Sequence, residues 1–93
     1  MTEQGARLVR LREALEIPTQ TAMAAALGIK ISRWNNFERG TPLSLDVAIK
    51  ICRRFPGVTM DWLFFGNPAG LPVELAKRLG ELPNGSRRGR ARR

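Results

Sequence analysis

Lys30, Ser32, Arg33, Asn35 and Asn36 fall within one seven-residue stretch, and no acidic residue occurs between Glu16 and Glu38. A negatively charged polymer meets nothing there that repels it. Arginine presents a planar fork of donors that matches O6 and N7 of guanine, asparagine pairs with N6 and N7 of adenine, and serine serves several base edges. The chemistry open to these types at this spacing is readout of DNA through its major groove, by hydrogen bonds rather than by bond making. A solvated helix face has the same polar character, so the reading depends on the elements that hold the cluster.

Those elements are legible in Thr19 to Gly40, TQTAMAAALGIKISRWNNFERG. Met23, Ala24 and Leu27 recur at the spacing of one helical face, and Trp34 and Phe37 do so again further on. Gly28 between them enters left-handed backbone at no steric cost, which ends the first helix and reverses the chain. Ala24, Ala25 and Ala26 keep that helix slim where the second crosses it. Two short helices joined this way, with a polar outer face on the second, predict a helix-turn-helix.

Gln20, Ala24, Gly28, Ile29, Phe37 and the closing Glu38-Arg39-Gly40 resemble the Cro and lambda-repressor-like (Xre) helix-turn-helix family. Val58-Thr59-Met60-Asp61-Trp62-Leu63-Phe64-Phe65-Gly66 resembles its fifth helix, so the likeness runs from about Arg7 to Gly66. It implies an all-α, five-helix DNA-binding domain in which Ile31, Ser32, Arg33 and Asn36 face the bases. It further implies that Gln20 touches a phosphate, that Lys30, Asn35 and Arg39 lie near phosphates, and that Arg12 pairs with Glu38. The chain also departs from the family pattern. Lys30 replaces the usual Ser or Thr cap, so the first amides of the recognition helix need water, Ser32 or a phosphate, and the helix is free to begin late. Trp34 is larger than usual, Ile17-Pro18 adds a residue between the first two helices, and Ile31 either contacts a thymine methyl or packs inward.

Composition narrows the alternatives. The chain has 93 residues, is 43% hydrophobic, and carries no His, no Tyr and one Cys. It therefore lacks the usual general base, the commonest metal ligand and any zinc-ligand spacing, and neither an enzyme nor a metal or other cofactor is expected. Asp46 and Asp61 each fall near a helix start, where a carboxylate complements the dipole. No apolar run is long enough to span a membrane and the N-terminus has no secretory pattern, which predicts a cytoplasmic, nucleoid-associated protein. Cys52, on an apolar helix beside Ala48 and Ile51, is expected to be buried.

The remaining segments read as support. A first helix over about Gly5 to Leu15 puts Leu8, Leu11 and Leu15 on one face. Ser44 is expected to cap a fourth helix that buries Leu45, Ala48, Cys52 and Phe55, and Thr59 a fifth that adds Met60, Trp62, Leu63 and Phe65. Residues 1–66 would form the DNA-binding domain. Residues 67–82 would add a sixth helix, with Pro72 in its first turn and Leu75, Leu79 and Leu82 on a stripe that either lies back on the domain or forms a homodimer interface. Residues 1–66 hold nine Lys and Arg against six Asp and Glu, and residues 67–82 are neutral, so five of the eight net positive charges lie in residues 83–93. That segment has no apolar period and reads as a disordered tail whose Arg87, Arg88, Arg90, Arg92 and Arg93 reach phosphates.

The expected function is a sequence-specific regulator of transcription that binds double-stranded DNA. It would be a dimeric repressor of phage, mobile-element or controller type reading an inverted repeat, with no membrane and no small-molecule effector. The alternative is a protein-interaction module, an antitoxin or anti-activator, on a scaffold with little DNA binding; the apolar Ile31 favours it. RNA binding through the tail is opposed by the lack of stacking aromatics outside core positions.

Overall fold

The computed structural model describes residues 2–81. Among them are six helices and no strand: α1 Glu3–Ala14, α2 Gln20–Leu27, α3 Ile31–Glu38, α4 Leu45–Arg54, α5 Met60–Phe65 and α6 Val73–Arg78. The expected all-α class is the one observed. Met1 and residues 82–93, which include Leu82 and the five tail arginines, lie outside the described residues.

The first helix starts two residues earlier than its apolar pattern suggests, because Thr2 accepts a hydrogen bond from the Gly5 amide at 2.9 Å and caps it. It ends in a Schellman turn: Ile17 N–H donates to the Arg12 carbonyl at 2.8 Å and Glu16 N–H to Glu13 at 3.0 Å. Glu16 lies in the left-handed region of this turn at φ 61°, where glycine is more usual.

The core gathers around Trp34 and Trp62, both fully buried, with Leu8 and Leu11 of α1, Met23 of α2 and Ile51 of α4. A tryptophan removes about 150–250 Å² from water, which is worth about 4–6 kcal/mol per side chain. Helix α3 is sandwiched between α1 and α2, while α4 packs on α2 and α5, and α5 also reaches α1. The recognition element is thus seated on two helices rather than one.

Three packing expectations need correction. Helix α4 buries Val47, Ala48 and Ile51, whereas Leu45 is 61% exposed and Cys52 and Phe55 are only half-buried. Leu45 precedes Val47 by two residues, about 200° around the helix, so both cannot face the core. On α5 the buried pair is Trp62 and Leu63; Phe65, two residues past Leu63 on a helix that ends at Gly66, is 79% exposed. Pro72 lies at the N-cap of α6 rather than within its first turn.

Helix α6 lies back on its own domain. Ala76 and Leu79 are buried in the common core and Leu75 packs partly against it, so Leu79 has no free surface to offer a second copy. Three hydrogen bonds hold the arrangement: Trp62 Nε1 donates to Glu81 Oε2 at 2.8 Å, Arg10 Nη2 to the same oxygen at 3.4 Å, and Arg78 Nη1 to the Ala14 carbonyl at 3.4 Å.

Candidate nucleic-acid interface

The turn into α3 is built by Gly28, which has φ 69° and lies in open space. Its requirement is therefore conformational rather than steric. Thr19 caps α2 by accepting from the Ala22 amide at 3.1 Å, and the Ile29 amide closes its far end on the Ala24 carbonyl at 3.0 Å. Lys30 then occupies the N-cap of α3 without a side-chain cap. The helix still begins at Ile31, since the Lys30 carbonyl accepts from the Arg33 and Trp34 amides at 3.1 and 3.2 Å.

From that start the helix divides cleanly. Trp34, Phe37 and Glu38 are buried, Ser32 and Asn36 are exposed on the opposite side, and Arg33 is exposed at the flank beside Phe37. Ile31 is 47% exposed, which resolves its two alternatives in favour of the outer face. Lys30 and Arg39 are exposed at the two ends of the helix, and Asn35 is half-buried at its flank. Of the positions the resemblance assigns to bases, all four lie outward.

Glu38 determines how α3 is held. Its carboxylate takes Arg12 Nε on Oε2 at 2.6 Å, Gln20 Nε2 on Oε1 at 2.8 Å, and the indole N–H of Trp34 on Oε2. One carboxylate thereby ties α1, α2 and α3 together. Burial pushes its pKa up, but the hydrogen bonds from Arg12, Gln20 and Trp34, with the Arg12 charge, outweigh that and leave it below the ordinary carboxylate value. Arg12 also donates through Nη1 to the Pro18 carbonyl at 2.9 Å, so the inserted connection is pinned to the same node. The expected Arg12–Glu38 pair is present, with both side chains largely buried. Gln20, expected at a phosphate, has one amide hydrogen directed to Glu38, and the other has no partner among the described residues.

Sequence reasoning missed three residues. Gln4 donates to the carbonyls of Phe37 and Thr41 at 3.1 and 2.6 Å and accepts from the Leu43 amide at 2.9 Å, which clamps the loop after α3. Gly5 lies so close to α3 that a Cβ there would overlap the Glu38 carbonyl oxygen. Neither contact leaves a periodic signal, since both join segments more than 30 residues apart. The third is Asp46. Arg33 Nη2 donates to its Oδ1 and Oδ2 at 3.2 and 3.3 Å and to Ser44 Oγ at 3.1 Å, while the guanidinium lies 5.7 Å from the centre of the Phe37 ring.

Ser44 accordingly departs from its expected role. It stands at the N-cap of α4 but makes no capping bond to an amide, and its hydroxyl oxygen accepts from Arg33 instead. The Asp46 carboxyl is held below its ordinary pKa, first by the Ser44 hydroxyl; burial opposes this, and the Arg33 charge and hydrogen bond and the Val47 amide lower it further. An acidic group thus enters the otherwise cationic face from another helix.

Residues 8–63 match a family model described as helix-turn-helix. No curated protein and no solved structure matches the chain.

Proposed function

The chain belongs to the Cro and lambda-repressor-like (Xre) helix-turn-helix family of DNA-binding regulators, and from that membership we propose a sequence-specific, dimeric repressor that reads an inverted repeat through the major groove. The observation that carries the proposal is the outward set Ile31, Ser32, Arg33 and Asn36 on a helix anchored through Glu38 to α1 and α2. A base-reading helix must be presented at a fixed angle, and a helix anchored to two others meets that need. In this reading Lys30, Asn35, Arg39 and the second amide hydrogen of Gln20 engage phosphates. Arg87, Arg88, Arg90, Arg92 and Arg93 add sequence-blind contacts, because about 11 extended residues reach roughly 35 Å, one turn of DNA. With Leu79 inside its own core, the exposed Phe65 ring offers the apolar surface for pairing with a second copy.

Selection of bound duplexes from a random library tests the whole reading. The expected result is an enriched motif with two-fold symmetry, together with a dimer mass in sedimentation. Asn36→Ala should cost about 1–3 kcal/mol on that motif and little on random duplex; equal losses on both would remove Asn36 from the readers. The second reading, a protein-interaction module, is favoured by the 47% exposed Ile31 and by the engagement of Arg33 with Asp46. It gains if no motif is enriched.

A further inference from the structure

The Arg33 guanidinium is held on two sides before any ligand arrives. Its Nη2 meets Asp46 and Ser44 on one edge, and Phe37 lies against it at 5.7 Å. Nη1 and Nε have no hydrogen-bond partner among the described residues. The Ser44 oxygen and the Asp46 carboxylate that take Nη2 stand two residues apart at the start of α4, so one helix start supplies both partners. A helix-dipole role for Asp46 needs neither the contact with Arg33 nor the diversion of the Ser44 hydroxyl away from capping.

We propose that Asp46 is a positioning residue that makes Arg33 selective for the edge of a guanine over a phosphate. The proposal rests on the DNA-binding reading above. A free arginine on a groove-facing helix pairs with whichever acceptor comes first, and on random DNA that is a phosphate. Beside Asp46 a phosphate oxygen meets a second anion, whereas O6 and N7 of guanine are neutral acceptors that carry no net charge into the contact. The aspartate also holds one nitrogen of the guanidinium, so less side-chain freedom is lost when a base is bound. Asp46 therefore lowers adhesion to random DNA while preserving, or improving, contact with the correct base pair. Its action is through Arg33, not through DNA.

The test uses the full chain in four forms: wild type, Asp46→Asn, Arg33→Ala and the double variant. Arg33→Ala identifies the base pair that Arg33 reads, as the one whose guanine enrichment disappears in duplex selection. At that position Asp46→Asn should reduce guanine enrichment about 5–10-fold, raise affinity for a fixed random duplex several-fold and steepen its salt slope by up to about 0.9 as Arg33 takes a phosphate. In the Arg33→Ala background the same substitution should change neither slope nor enrichment, which separates action through Arg33 from a plain gain of net charge. Asp46→Ser, which keeps a short acceptor at the start of α4 without the charge, should reproduce the result if the asparagine variant does not fold. Unchanged guanine enrichment in Asp46→Asn, an equal gain on specific and random duplex, or an undiminished effect without Arg33 would each overturn the role of Asp46 and leave the DNA reading standing. A wild-type chain that enriches no duplex would overturn the DNA reading, and the role of Asp46 with it.

Discussion

At the scale of single residues, Glu38 is the side chain on which the interface turns. Folding lowers its pKa, so the unfolded chain binds its proton more readily than the folded one. The stabilisation it gives is complete above the ordinary value of 4.5 and is lost as pH falls through the lower folded value. Glu38→Gln should cost about 3 kcal/mol at neutral pH, because it leaves Arg12 largely buried without its counter-ion. The cost should shrink as both proteins are titrated below pH 4.5, and melting curves from pH 7 to pH 3 would show two lines converging. Lines that stay parallel would mean that the carboxylate charge is not what holds α3. The outward positions Ser32 and Asn36 were legible in the sequence because helical period alone sorts them from Trp34 and Phe37, and Arg33, one turn before Phe37, because its charge keeps it in solvent. Asp46 was not, since its link to Arg33 spans an irregular loop for which no spacing rule exists.

At the scale of elements, α3 is a helix with a weak beginning and a strong seat. Lys30 gives it no side-chain cap, while Gln4, Gly5 and Arg12 of α1 hold its far end and the loop beyond it. Lys30→Ser should raise stability by about 0.5–2 kcal/mol through a restored cap. If Lys30 engages a phosphate, the same change should weaken all duplexes alike and flatten the salt slope by about 0.9. Thermal melting and binding at two salt concentrations read the two effects separately; a variant that is more stable and binds no worse would take Lys30 out of the interface. Helices α2 and α3 could be read from the chain because Gly28 punctuates them and the apolar spacing is dense. The face of α4 could not, because Leu45, Val47, Ala48 and Ile51 supply apolar residues on more than one side and only the partners choose between them.

For the whole molecule, charge and core are separated along the chain. Among the described residues the last core side chain is Leu79, and five of the eight net charges follow in residues 83–93. Deleting residues 83–93 should leave the melting temperature nearly unchanged and reduce the salt slope by up to about 4.5 on specific and random DNA alike. A slope that does not move would show the tail to be idle. The sixth helix was legible from Pro72 and the leucine stripe, but its destination was not. An amphipathic stripe states that a partner exists without saying whether it belongs to the same chain, and here Ala76 and Leu79 find theirs in the common core of their own chain.

The two tryptophans have a practical consequence. Each is fully buried and each donates its indole N–H to a carboxylate, Trp34 to Glu38 and Trp62 to Glu81. With no tyrosine in the chain, they are the dominant ultraviolet emitters, one at the heart of the recognition unit and one at the joint between α5 and α6. Trp62→Phe would leave fluorescence that follows the recognition helix, and Trp34→Phe fluorescence that follows the C-terminal joint. The protein thus carries two optical gauges, and no attached dye is needed to learn which part loosens first.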